Sequence, residues 1–229
     1  MSRGFGATYG SGITDNIDLS FVGSATQRSW AIWAYRADAT SDMRIWAKEK
    51  ADGTLPQENL HQYSGKYRFY RKFSTTSAIW SVPEPSVAEW HHVLVTFDNS
   101  SDANDPVIYI DGVSQTVTEV VTPSGSAQNT TDGYMLGNYR PGLSNNIHWR
   151  GYLAEFAVWD SILTSGNATS LAAGALPNSI GSPACYFRVL GDDSPELDIS
   201  LSRYSGTVTG TAKRNHPPLL QGYLKYRKP

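Results

Sequence analysis

A chain of 229 residues is long enough for one large β domain. The near balance of 19 Lys and Arg against 21 Asp and Glu, net −2, gives it no electrostatic reason to meet nucleic acid or an anionic membrane. A single cysteine, Cys185, excludes an intrachain disulfide framework and an all-cysteine zinc site, and no apolar run approaches the ~20 residues of a membrane helix. Only 17% of residues are charged while 12% are aromatic, including 7 Trp and 13 Tyr, a balance that favours strands over helices.

The predicted elements, in chain order, are mostly strands. Residues 29–36 (SWAIWAYR) put Trp30, Ile32 and Ala34 on one face and Trp33 and Tyr35 on the other, the period-two pattern of a half-buried strand. Residues 66–73 set Tyr67, Phe69 and Phe73 against Lys66, Arg68 and Lys72. Residues 90–97 set Val93, Val95 and Phe97 against Trp90, His92, Leu94 and Thr96. Runs at 107–110 and 113–121 flank Asp111-Gly112, a hairpin signal because both central residues need positive φ. Residues 152–159, 184–190 and 197–201 complete the predicted strands. One short helix is expected near 165–173, capped by Thr164 or Ser165 and stopped by Gly174. The turn-rich stretches between them are too short to be linkers, so one domain over 1–229 is expected, with 1–20 and 202–229 as less regular terminal segments. The fold class is all-β, a two-sheet antiparallel sandwich with one short helix. Residues 1–6 lack the charged-then-apolar pattern of an export segment, from which a soluble chain made in a cytoplasm is expected.

Three stretches in order carry a family resemblance: Trp90 to Asp98 (WHHVLVTFD) followed by Ile108-Tyr109-Ile110-Asp111-Gly112; Leu136-Gly137-Asn138; and Gly151 to Thr164 (GYLAEFAVWDSILT) leading into the helix. Together they resemble the laminin-G-like, concanavalin-A-like jelly roll, over roughly residues 20–175. The resemblance implies a concave sheet on or near which Trp33, Tyr35 and Trp90 lie, where ring faces stack on sugars; the alternative for each ring is ordinary core filling.

Some members of this fold are glycoside hydrolases with a carboxylate pair spaced along one strand. Here Glu196 and Asp198 share a face, but Ser200 or Leu201 stands where a second glutamate is needed, so no catalysis is expected. Glu155 fills the family's acidic position, as a structural hydrogen-bond acceptor. His91 and His92 are adjacent and point to opposite faces, His148 and Arg150 lack a third partner, and His61 and His216 are isolated in the sequence. The oxygen-rich loop from Asp98 to Asp105 offers a weak calcium site built on Asp98, Asp102 and Asp105, or else a polar hairpin loop held by its own side chains. Lys66, Arg68 and Lys72, with Tyr70 between them, would bind acidic sugars or an acidic partner, or else guard a solvated edge; the tail 225–228 (KYRK) has the same two readings.

The opening Arg3 to Asp15 resembles the starts of laminin-G-like proteins of tailed bacteriophages. This resemblance implies a non-catalytic virion structural protein: a capsid decoration or cement protein, or a head or tail fibre component, synthesised in the host cytoplasm and displayed on the virion surface. Its partners would be capsid or fibre subunits and further copies of itself, with the segment 216–220 (HPPLL) as an extended docking arm. The alternative is a lectin-like module recognising host-surface polysaccharide.

Overall fold

The computed structural model describes residues 2–6, 15–39, 42–48, 57–139, 147–191, 194–214 and 217. All of the docking arm 216–220 but residue 217, the tail 225–228 and most of the opening 3–15 lie outside them.

In chain order the strands are β1 (Ser2–Phe5), β2 (Asn16–Leu19), β3 (Gln27–Arg36), β4 (Met43–Lys48), β5 (Glu58–Tyr63) and β6 (Lys66–Arg71). There follow β7 (Ala78–Pro83), β8 (Trp90–Asp98), β9 (Val107–Ile110), β10 (Val113–Ser114), β11 (Thr118–Val121) and β12 (Tyr134–Leu136). After β13 (Gly151–Trp159) come the helix α1 (Ser165–Ala172) and β14 (Cys185–Phe187), β15 (Glu196–Leu197), β16 (Ser205–Thr209) and β17 (Ala212–Arg214). They form two antiparallel sheets. Sheet A runs β10-β9-β8-β3-β13-β1-β17, with β14 also on β13, and sheet B runs β11-β7-β6-β5-β4-β12-β2-β16-β15. This is the expected all-β sandwich with one helix.

The alternation read from sequence sets the faces. Trp30, Ile32 and Ala34 of β3 and Val93, Val95 and Phe97 of β8 point inward and meet Tyr67 and Phe69 of β6 in one core. Residues 111 and 112 have φ of 51° and 78°, as the tight hairpin between β9 and β10 requires. Thr164 caps α1, its hydroxyl accepting from Asn167 N at 3.3 Å while Asn167 Oδ1 accepts from Thr164 N at 2.9 Å.

Two expectations are corrected. The run 113–121 is two strands, not one: β10 stays on sheet A, and β11 crosses to pair with β7 of sheet B through a register shift between Glu119 and Val121. The run 197–201 pairs only at its first residues, because Asp198 turns inward and accepts from the backbone N–H of Tyr186, Ser200 and Tyr204, curling the chain. At the described positions of the terminal segments, β1 lies between β13 and β17, and β2 between β12 and β16.

Charged groups join the sheets where the apolar stripe ends. β3 continues its inward face to Arg28 at one end and Arg36 at the other, both buried. Arg28 of sheet A and Arg71 of sheet B grip opposite oxygens of Glu58, at 2.7 and 3.1 Å, with all three side chains fully buried. Tyr134 Oη donates to Glu58 and accepts from Trp30 Nε1 at 3.0 Å. Lys48 joins from β4, donating to Gly23 O at 2.6 Å. Burial would raise the Glu58 carboxyl, but Arg28, Arg71 and Lys48 outweigh it and hold it below its usual range. Burial, reinforced by Arg28 and Arg71 against Glu58, lowers Lys48 to about 8. At the other end Arg36 clasps Glu84 through two hydrogen bonds of 2.9 Å, and Gln62 Nε2 donates to the same carboxylate at 2.6 Å.

Two outcomes follow for stability in urea. Glu58→Gln leaves three buried cations without their anion and lowers the unfolding free energy by about 3–5 kcal/mol. The lowered Lys48 has the opposite sign to a stabilising ion pair. Below pH 8 the group is charged in both states; between about 8 and 10.5 the folded chain releases a proton that the unfolded chain keeps, so stability climbs with pH. The slope, up to ~1.4 kcal/mol per pH unit, is read from about pH 7 to about pH 9.5, before tyrosines ionise, and Lys48→Met removes it.

Candidate recognition face

Three surfaces hold the residues singled out from the sequence, and they are far from equivalent. The first is the outer face of sheet A. Its central part is covered by α1, where Leu163, Ala168 and Leu171 pack on Ala31, Leu94 and Trp159. Further along, Trp33 is only 5% exposed, edge-on to His92, so it offers no ring face to solvent. His92 is buried too, and that burial lowers its pKa to about 4. Tyr35 and Trp90 are half-buried and meet Tyr152, with Tyr35 and Tyr152 stacked at 4.7 Å between ring centroids. Trp33 thus belongs to the packing of the sheet, and the half-open rings are Tyr35, Trp90 and Tyr152.

The second surface is the rim loop between β8 and β9. The structure does not bring Asp98, Asp102 and Asp105 together. Asp98 accepts from Gln27 Nε2 and Ser100 N, Asp102 from Gly125 N and Asp105 from Trp80 Nε1, each within 2.6–2.9 Å. The bonds from Gln27 and Ser100 hold the Asp98 carboxyl below its ordinary range. Calcium needs six to eight converging oxygens. Among the described residues no three His, Cys, Asp or Glu side chains converge in that way, so this donor set does not fit the ion. The loop instead walls a polar cleft of about 380 Å³ with Thr26, Asn99, Ser100, Gly125 and Asn129. Its floor is tied to the buried cluster, since Asn99 and Asn129 accept from Arg71 at 2.7 and 2.9 Å.

The third is the outer face of sheet B. Because Tyr67, Phe69 and Arg71 point inward, β6 presents Lys66, Arg68 and Tyr70 outward, with Lys72 following on the same side. Across the sheet Arg68 stands directly opposite His61 of β5, and His61 opposite Arg44 of β4. The guanidinium of Arg68 lies 4.5 Å from the Tyr63 ring centroid, a cation–π contact. Arg44 pairs with Asp42 at 3.0 Å through one nitrogen. His61 Nδ1 bonds Asn59 Oδ1 at 2.6 Å, and burial, with Arg44 and Arg68 beside it, keeps the imidazole neutral well below its usual pKa. His61, isolated in the sequence, is therefore flanked by two cations in space. The signal that would have found it is strand pairing, which a single sequence shows only faintly: Arg44 and His61 are 17 positions apart and meet only through register.

The hydrolase-like carboxylates are committed to structure. Glu196 takes Arg3 Nε at 2.6 Å and Gly191 N at 3.1 Å, and Asp198 holds the turn described above. Glu155, buried at a bulge of β13 with φ of 55°, accepts from Tyr186 Oη and Arg188 Nε.

A family profile described as the concanavalin A-like lectin/glucanases superfamily matches residues 10–168, more than half of the chain. The chain belongs to that superfamily. A "putative carbohydrate binding protein" from Bacteroides ovatus superposes with a TM-score of 0.70 at 17% identity, over 96% of this chain and 61% of that one. A heptameric SAP-like pentraxin from Limulus polyphemus superposes with a TM-score of 0.56 at 17% identity, over 75% of this chain and 81% of that one. At such identity these likenesses show the concanavalin A-like fold. The chain spans 61% of the length of the Bacteroides protein. No curated protein matches by sequence.

Proposed function

We propose that this concanavalin A-like domain is a non-catalytic recognition module that binds polysaccharide on the outer face of sheet B. The observation that carries this reading is the outward set on β6. Arg68 and Lys72 have no ion-pair partner among the described residues, and Tyr70 between them is half-open with no ring packed on it there. Sugars are held by such pairings of ring faces with charge-assisted donors. The fold shared with the Bacteroides ovatus "putative carbohydrate binding protein" adds weight, and the glutamate and aspartate that a hydrolase would need are engaged elsewhere.

A second reading, the bacteriophage virion structural protein, is favoured by a different observation. Leu197, Ile199 and Leu201 are 58, 45 and 92% exposed, while Asp198 and Ser200 between them are buried. An inverted alternation at the sheet edge, with the apolar side turned out, suits contact with another virion subunit. In this reading the domain serves at the virion surface as a decoration or fibre component, and the two roles coexist on opposite parts of the molecule.

Each reading has its measurement. Purified chain is titrated with neutral and acidic polysaccharides at physiological salt. Saturable binding is expected, weakened about 10-fold or more by Tyr70→Ala combined with Lys72→Ala; wild-type affinity in that variant removes sheet B as the binding face. For the second reading, Ile199→Asp with Leu201→Asp is expected to fold normally yet fail to enter particles. Normal incorporation of that variant defeats the ridge as a contact.

A further inference from the structure

Sheet B carries a polar row that crosses its strands rather than following one. Arg44, His61, Arg68, Ser81 and Thr118 are successive cross-strand partners on β4, β5, β6, β7 and β11. Directly opposed residues share a face, and neighbouring strands lie ~4.8 Å apart, so Arg44 and Arg68 straddle His61 with backbones ~10 Å apart. That span suits one small anionic group held between two guanidiniums.

A second observation points to a missing ligand. The Nε–H groups of both Arg44 and Arg68 are buried and have no acceptor. A buried N–H is nearly always paired, and here the guanidiniums on either side of His61 each leave one unpaired. Of the inner arginines, Arg28 Nε reaches Ala25 O at 2.9 Å and Arg71 Nε reaches Asn99 Oδ1 at 2.7 Å, while Arg36 leaves its Nε unpaired but spends both terminal nitrogens on Glu84. Arg68 differs from all three: among the described residues no oxygen is hydrogen-bonded to its guanidinium, and Arg44 has one, from Asp42. Burial above all, and then the positive field of Arg44 and Arg68, lowers the affinity of His61 for a proton.

We propose that the Arg44–His61–Arg68 row binds the carboxylate or sulfate group of an acidic saccharide; this rests on the polysaccharide reading and names its ligand class. The two guanidiniums donate to the anionic oxygens. The Tyr63 ring beneath Arg68, 43% exposed, and the half-open Tyr70 ring, two residues along β6, flank the anion and give a sugar ring a surface to lie on. Ser81 and Thr118 extend the row with hydroxyls suited to sugar O–H groups. The charged and titratable groups facing His61 are Arg44 with its partner Asp42 from the β4 side and Arg68 from β6, with Tyr63 on β5 itself.

The full chain is titrated by NMR with glucuronate, galactose 6-sulfate, galactose and inorganic sulfate. Expected are shifts of the His61 ring and of the Arg44 and Arg68 Nε–H resonances with the two acidic sugars, and an affinity for them about 10-fold or more above that for galactose. Arg44→Gln and Arg68→Gln each remove that preference, while Lys213→Gln, which deletes one charge elsewhere, does not. An unshifted His61 at saturation, or an acidic preference that survives both arginine substitutions, overturns the proposal. Inorganic sulfate binding as tightly as galactose 6-sulfate overturns its saccharide part. If neutral and acidic polysaccharides bind equally well, the row is wrong and the polysaccharide reading stands; if no polysaccharide binds, that reading falls, and the row falls with it unless the acidic monosaccharides still shift His61.

Discussion

The grip of Arg28 and Arg71 on Glu58 constrains the rest of this sandwich. It joins sheet A to sheet B through a carboxylate with no exposure, and a carboxylate so placed is tolerable only because cations reach it from both sheets. Lys48 adds a third positive charge, so the cluster holds more charge than Glu58 neutralises. Hydrogen bonds to Tyr134 Oη, Asn99, Asn129 and the carbonyls of Ala25 and Gly23 absorb the excess. Such a cluster adds little net stability compared with an apolar core, but its geometry admits one relative position of the sheets. A one-residue slip of β3 would turn Arg28 and Arg36 outward together and strand Glu58 and Glu84.

This placement fixes what the outer faces can do. With β3 pinned at both ends, Trp33 and His92 are pressed into the outer packing of sheet A beside the region that α1 covers. Sheet A is left with a modest patch of half-open rings. Sheet B has no helix on its outer face among the described residues, and there the alternation of β6 sets cations in line with tyrosines. Although the overall charge is −2, Lys66, Arg68 and Lys72 make a local positive strip on β6. Within a Debye length of ~8 Å at physiological salt, the local arrangement outweighs the net charge.

How much of this could be read from one sequence depends on the range of the signal. Period-two alternation is local, and it assigned the inner faces of β3, β6 and β8 residue by residue. The Asp111-Gly112 turn and the Thr164 cap are likewise two- to four-residue signals. Arg28, Arg36, Glu58 and Arg71 were opaque because a charged residue at an inward position looks like the end of a strand; only its partner on the other sheet shows that it belongs inside. The short strands β4 and β5 mix polar and apolar residues on their faces, so their alternation is weak, and with them went Arg44 and His61. Trp33 was legible as outward-facing on its strand, and burial of that outer face depends on neighbours that the sequence does not place.

β6 shows the resulting division of labour within a single strand. Arg71 points inward and is saturated by Glu58, Gln57 O, Asn99 and Asn129. Arg68, three residues earlier, points outward and, among the described residues, meets the ring of Tyr63 with its Nε–H unanswered. The two guanidiniums are chemically identical, and strand parity alone separates them. A side chain already satisfied by the fold has nothing left to offer a ligand. One held on rigid backbone without a partner has its ordering cost met by folding, so a ligand that fits it need not supply that cost. The stiffness that Arg71 gives to the sandwich is thus the condition under which Arg68 can act as a recognition group.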